Sequence, residues 1–133
     1  MDTDAKRSFL RDHHHVVLVT HRSDGRLQTS PVVAAIDDDG FVVVSVSEDR
    51  AKTKNMRRDP RVALCVLSDE FFGAWVHIDG TAEIVPVPEA LPGLRDLYRR
   101  VSGEHPDWAD YDASMLRDHR CIVRIRIDDA PGA

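Results

Sequence analysis

Long apolar stretches are missing from this chain of 133 residues: the longest uninterrupted run is the six residues Val62 to Leu67. A membrane-spanning helix needs about 20 predominantly apolar residues, so none is expected. Cysteine is scarce. Cys65 and Cys121 both sit in apolar, strand-like runs, which reads as two buried free thiols in a reducing compartment rather than a disulfide. The first residues, MDTDAKRSFLRD, are charged and carry no apolar segment of the secretory kind. Together these point to the cytoplasm. An excess of basic charge is also missing: the net charge is −5, which argues against nucleic acid as the main partner. Absent too are GxGxxG, the P-loop, the nucleophile elbow, HExxH and paired CxxC. No nucleophile–base pair can be read. That does not exclude an enzyme, because where a cofactor carries the reaction the protein mainly binds and orients.

What is present suits one globular domain spanning residues 1–133, with 42% hydrophobic and 31% charged residues. Its centre is Phe41 to Leu67, FVVVSVSEDRAKTKNMRRDPRVALCVL. Phe41 to Val46 is apolar and β-branched, hence a largely buried strand. Ser47 or Asp49 is expected to cap a helix that starts near Arg50. Asp59-Pro60 ends that helix, since a residue before proline leaves the α region, and Val62 to Leu67 is the next strand. Six basic residues crowd into positions 50–61: Arg50, Lys52, Lys54, Arg57, Arg58 and Arg61. A basic cluster at a helix N-terminus is a ready anion site, the seat of a cofactor phosphate. A solvated basic helix face fits the same spacing.

Around this centre the pattern is of hairpins. Thr3 to Asp12 reads as a short helix capped by Thr3 or Asp4. The adjacent His13, His14 and His15 cannot converge on one metal ion, since consecutive strand residues point to opposite faces. His14 to His21 and Leu27 to Ile36 form a hairpin about Ser23-Asp24-Gly25. Pro31 lies inside the second strand, so an edge or an opening in the ladder is expected there, and an opening leaves groups free for a ligand. Ala74 to Val85 is a long strand. One of its faces carries Trp75, His77, Asp79, Thr81 and Glu83, which is no core face, and a large aromatic there suits an interface. Glu89 to Val101 reads as a helix whose Leu91, Leu94, Leu97, Tyr98 and Val101 are core contacts, closed by Gly103. Asp107 caps a second helix from Trp108 to about Asp118. In the last strand, Arg120 to Ile127, the residues Cys121, Val123, Ile125 and Ile127 point inward. Six strands without alternating βαβ units make a mainly β, α+β protein: a closed or split antiparallel barrel with short peripheral helices.

Four segments carry a family resemblance: DRAKTKNMRRDPRVALCV at 49–66, GTAEI at 80–84, YRRVSGEHPDWADY at 98–111 and DHRCIVRIRI at 118–127. With them the chain resembles the split β-barrel oxidoreductases related to pyridoxamine 5′-phosphate oxidase, and more narrowly their deazaflavin-dependent actinobacterial branch. The resemblance implies a six-stranded split barrel and a homodimer with cofactor sites at the subunit interface. It implies coenzyme F420, a deazaflavin, as cofactor, or FMN or haem in other branches. The reaction implied is hydride transfer to an electron-poor small molecule such as a tetrapyrrole, quinone or enone. An FMN-dependent pyridoxamine phosphate oxidase type and a non-catalytic cofactor carrier are the alternatives. The resemblance puts the phosphate on Arg50, Ala51, Lys52 and Thr53, with Asn55 close by. It lays the ring along Gln28, Ser30, Pro31 and Val32 and along Val44, Ser45 and Val46, with Trp75 coming from the other subunit. No metal and no catalytic side chain are implied. The chain ends six residues after Ile127, where relatives often carry a longer tail, so substrate contacts from such a tail are not carried over.

Overall fold

Burial alternates along His15–His21 (β1), and its partner Leu27–Ile36 (β2) follows a turn in which Gly25 takes φ 87°. This hairpin opens a computed structural model of the chain that describes residues 1–128. Before it, Thr3–Asp12 forms helix α1; Asp2, one residue ahead of the expected caps, accepts from the Ala5 N–H at 2.8 Å. Asp37 makes the next turn by accepting from the Asp39 and Phe41 N–H groups with one carboxylate oxygen. There follow Val42–Ser47 (β3), Ala51–Arg58 (α2), Arg61–Leu67 (β4), Trp75–Pro86 (β5), Leu91–Ser102 (α3), Trp108–Arg117 (α4) and Arg120–Ile127 (β6). The strands close in the order β1-β2-β3-β6-β5-β4, all antiparallel, so every strand pairs with a neighbour on each side for at least part of its length. This is the expected six-stranded barrel with short peripheral helices.

Inward residues of every strand fill the barrel: Leu18, Val44, Leu64, Ile78, Val123 and Ile125 are 1% exposed or less. Leu10 of α1 belongs to this cluster. A second cluster lies outside the barrel, where Ala35, Val43 and Ile122 meet Ala90, Leu94 and Leu97. There α3 covers β2, β3 and β6. That explains why Val42 to Val44 reads as unbroken apolar sequence instead of alternating: both faces of β3 are buried.

The strand ladder leaves one opening and one uncovered face. The opening arises because β2 meets β3 only through Ala34, Ala35 and Ile36, while Leu27 to Val33 pair with β1 alone. Pro31 sits in the unpaired part, where it has no N–H to offer a ladder. The barrel therefore splits between β2 and the end of β3. On the uncovered side, the outer faces of β1, β4 and β5 carry Val17, Val19, Ala63, Cys65 and Leu67, half-buried, beside Trp75 at 61% exposure. Register sets Val17 next to Cys65, Cys65 next to His77, and Leu67 next to Trp75. None of these side chains belongs to either core cluster.

Candidate functional site

The split between β2 and β3 opens into a groove of about 510 Å³, a size ordinary for small-molecule sites. Its strand wall is Pro31, Val32 and Val33 of β2 with Ser45, Val46 and Ser47 of β3. The helix wall is Leu97, Tyr98, Val101 and Ser102 of α3 with Tyr111 and Met115 of α4. Arg50, Lys52 and Arg120 make up one basic end. Among the described residues no Asp or Glu lines the groove.

Charge at the basic end is uncompensated. Arg120 donates from Nε and Nη2 to Ser45 Oγ at 3.1 and 2.7 Å and from Nη1 to Ser47 Oγ at 2.9 Å, so hydroxyls and not carboxylates hold it. Neither Arg50 nor Lys52 has an ion-pair partner among the described residues. Burial pushes the Lys52 ammonium below its ordinary value, and the positive charges of Arg50 and Arg120 push the same way. The neighbouring basic residues differ. Arg57 pairs with Glu48, Arg61 pairs with Asp59 at 2.7 Å, and Arg58 donates to the His21 carbonyl and to Asn55. The basic run thus divides into a paired, structural part and an unpaired part facing the groove, with Lys54 exposed.

The start of α2 corrects one expectation. Arg50 is the N-cap residue and no side chain caps the helix. Ser47 instead receives Arg120 on its hydroxyl, and its carbonyl accepts from Thr53 Oγ1 at 2.6 Å. The first N–H groups of α2, at Ala51 and Lys52, have no hydrogen-bond partner among the described residues.

Of the residues assigned from sequence, Pro31, Val32, Ser45, Val46, Arg50 and Lys52 come together in the groove. Val44 does not: it is fully buried inside the barrel, because side chains alternate along β3 and Val44 falls on the interior phase. Ser30 lies opposite the core residue Leu18 in the β1–β2 register and is half-buried. Ala51 is exposed at the helix start, and Thr53 is buried beneath it. Gln28 and Asn55 do meet, but as a structural pair: Asn55 Nδ2 donates to Gln28 Oε1 at 2.8 Å and to Thr20 Oγ1 at 3.1 Å. Trp75 is on the outer face of β5 and does not line the groove of its own chain.

Sequence reasoning missed Arg120, Ser47 and the helix wall. Tyr98 and Val101, read as core, face the groove. One signal was available in Ile122, an isolated apolar residue in phase with Arg120, Arg124 and Arg126, which shows that a helix covers that face of β6.

The GEHPDW segment folds against this wall. Tyr98 packs against His105, Trp108 and Tyr111 at ring-centroid distances of 5.0, 5.8 and 5.4 Å. Arg99 lies over the Trp108 ring at 4.5 Å, and Glu104 accepts from both Arg99 Nε and Trp108 Nε1. Asp107 caps α4 by accepting from the Asp110 N–H. Among the described residues no grouping of three or more His, Cys, Asp or Glu side chains could hold a metal. His14 Nδ1 sits 2.9 Å from the Ala34 carbonyl. Among the described residues no helix is long and apolar enough to cross a membrane.

A closed six-stranded barrel, split at one seam and flanked by short helices, defines the split-barrel class. Within it, the chain belongs to the pyridoxamine 5′-phosphate oxidase family, whose model matches residues 2–130. The fold is shared with the conserved hypothetical protein Rv2991 of Mycobacterium tuberculosis, 26% identical with a TM-score of 0.78 over 97% of this chain and 82% of that one. An F420 reductase is also 26% identical, with a TM-score of 0.70 over 92% of this chain and 93% of the reductase. The heme storage protein HutZ of Vibrio cholerae, 15% identical, has a TM-score of 0.71 over 98% of this chain and 93% of its own, a likeness of fold alone.

Proposed function

We propose that this protein binds coenzyme F420 in the groove and serves hydride transfer to an electron-poor organic acceptor. One observation carries the reading: three cations, Arg50, Lys52 and Arg120, converge on the end of a half-apolar groove that contains no carboxylate among the described residues. Like charges held together in a partly buried place destabilise the protein alone and favour an anion. The open N–H groups of Ala51 and Lys52 add donors for the same anion. Similarity to an F420 reductase supports the choice of deazaflavin.

The residues fit such a group. Pro31, Val32 and Val46 offer an apolar surface for a flat ring, Ser45 and Ser47 hold Arg120 in place, and Arg50 and Lys52 take the phosphate. Hydride chemistry would come from the bound deazaflavin. The chain's own part is to bind, orient and exclude water, in keeping with the absence of an acid–base pair on the groove walls.

A pyridoxamine phosphate oxidase type of substrate would need a second anion site. The nearest arginines are already paired: Arg95 with Asp112, Arg99 with Glu104, and Arg100 with Asp96 and Asp38. That leaves F420 as the better reading.

A homodimer belongs to the same reading. The outer face of β1, β4 and β5 joins Val17, Val19, Ala63, Cys65 and Leu67 to the exposed Trp75, an apolar surface a second copy would cover. Trp75 would then reach the partner's groove.

Titration of the purified protein with F420 and with FMN, read by fluorescence, tests the cofactor. Tighter binding of F420 is expected. Stoichiometric co-purified FMN together with no measurable F420 affinity overturns the reading. Turnover with reduced F420 separates an enzyme from a carrier.

A further inference from the structure

The turn between β4 and β5, residues 68–74, exposes two large rings. Phe71 is 76% and Phe72 98% exposed, and their rings stack at 5.0 Å. Apolar surface so displayed marks a place that another molecule covers. The turn holds the pair outward because its backbone is closed. Ser68 Oγ and the Gly73 N–H both donate to the Glu70 carbonyl at 2.9 Å, and the Ser68 N–H donates to the Ala74 carbonyl at 3.3 Å. An added Cβ at Gly73 would fall 2.5 Å from Ser68 Oγ, so the turn is tight. Beside the rings stand Asp69 and Glu70, exposed and without an ion-pair partner among the described residues. The tip therefore offers two apolar rings and two free negative charges on one rigid turn.

The groove is the complement of this tip. Its walls are partly apolar, and Arg50, Lys52 and Arg120 stand at its end with no carboxylate beside them among the described residues. The tip does not serve the groove of its own chain. The β4–β5 seam lies opposite the β2–β3 split in the ring, and no residue of 68–74 lines the groove. A second copy meets the geometry. Register sets Val33, His15, Leu67 and Trp75 in one row across β2, β1, β4 and β5. A second copy laid face to face about a two-fold axis between β1 and β4, parallel to the strands, exchanges the ends of that row. Its Trp75 then falls over Val33, a wall residue of the groove, and its tip over the groove mouth. We propose that in the cofactor-free protein the tip of a second copy plugs the groove, with Phe71 and Phe72 against the apolar walls and Asp69 and Glu70 toward the three cations, and that an anionic ligand must displace it. The tip is then a competitor carried by the protein itself, and a weakly bound anion is turned away. The inference rests on the groove being an anion site and on the pairing of two copies through the β1, β4 and β5 face.

The test uses the full chain without cofactor. In a Cys65→Ser background, Phe72→Cys protein is mixed with Val33→Cys protein and oxidised. A disulfide between the two variants should form. Inorganic pyrophosphate should suppress it about fivefold, and more than sodium chloride of equal ionic strength does. Phe72→Cys alone should cross-link little, since the axis keeps the two tips apart. Calorimetry with pyrophosphate supplies the sign. Removing a competing occupant raises the apparent affinity by the reciprocal of the fraction of open grooves, so both Phe71→Ser/Phe72→Ser and Asp69→Asn/Glu70→Gln should bind pyrophosphate about fivefold more tightly than the native protein. Destabilisation, or loss of a mere roof over the site, gives the opposite sign. Unchanged or weaker pyrophosphate binding in either variant, absence of the mixed cross-link, or self-pairing of Phe72→Cys in preference to Val33→Cys overturns the inference. F420 titration of the same proteins separates the two readings. If F420 binds neither native protein nor variants while pyrophosphate still suppresses the cross-link and binds the variants more tightly, the cofactor assignment falls and the plug stands. If F420 binds and the variants bind neither it nor pyrophosphate more tightly, the plug falls and the cofactor assignment stands.

Discussion

Asn55 and Lys52 lie three residues apart on α2 and do different work. Asn55 is 7% exposed and uses its amide fully, donating to Thr20 and Gln28 and accepting from Arg58. It fastens the helix to the β1–β2 hairpin. Asn55→Ala should cost about 1–3 kcal/mol of stability, because buried partners are left unsatisfied, and chemical denaturation will measure it. Lys52→Ala should do the opposite. Cofactor binding should weaken by about 1.5–3 kcal/mol, the range for a charged hydrogen bond, and more so at low salt. The cofactor-free protein should be no less stable. The sign follows from the depressed pKa of Lys52. Between its folded and unfolded values the unfolded chain binds the extra proton, so stability rises with pH across that window. Anion affinity falls over the same window, since the anion favours the protonated lysine. Thermal melts with and without phosphate at several alkaline pH values check both slopes. A phosphate effect of undiminished size in Lys52→Ala would remove Lys52 from the site.

At the scale of elements, the groove exists because two strands part. β2 is held by β1 along Leu27 to Val33 and by β3 only along Ala34 to Ile36, and β3 continues instead with β6. Two seams along the ring, the pairing of β5 with β6 has no such freedom. At Gly80 an added Cβ would fall 2.4 Å from Ile125 Cγ2 and 2.9 Å from the Arg126 carbonyl. The carbonyl belongs to a paired strand and cannot turn aside. Gly80→Ala should therefore destabilise by about 1–3 kcal/mol, as overpacking does. A denaturation midpoint equal to that of the native protein would show that the seam can shift.

At the scale of the whole molecule, the predictions concern the uncovered sheet face. Size-exclusion with light scattering should give twice the 15.0 kDa chain mass. Trp75→Ala should weaken cofactor binding and leave the dimer largely intact, since one anchor is only part of a large interface. The thiols report independently. Burial, followed by the hydrogen bond with Glu48, pushes the Cys121 thiol up to about 11, so it stays protonated and unreactive at neutral pH. Cys65 sits on the uncovered face and should react with a thiol reagent only when the dimer is dissociated by dilution. Rapid labelling of Cys65 at concentrations where light scattering shows a dimer would place the interface elsewhere.

The barrel itself was legible from local pattern. Turn residues at Gly25 and at Asp37 to Gly40, the short β-branched apolar run Val16 to Val19 in β1, and inward-phase residues in β6 each specify a strand or a turn by short-range rules. Pro31 likewise announced an irregularity, because a residue without an N–H cannot serve a ladder. The density of basic residues at positions 50–61 marked the neighbourhood of the groove's basic end. Which of those cations are free was not legible. Arg57 is matched by Glu48 and Arg61 by Asp59, while Arg50 and Lys52 find no carboxylate among the described residues, and that sorting depends on which side of a helix each occupies against the strands. Arg120 joins them only because β6 runs beside β3 and sets it opposite Ser47, some seventy residues away in the chain. Val44 was misplaced because an unbroken apolar run hides its own phase; α3, packed on Val43, decides which face is interior. The sequence by itself determined the strands, the turns, an irregularity in the ladder at Pro31 and the basic helix; that the irregularity is an opening came from the β2–β3 register. Only the tertiary structure decided which charges remain unpaired and which rings face the groove, because both depend on contacts between residues distant in the chain.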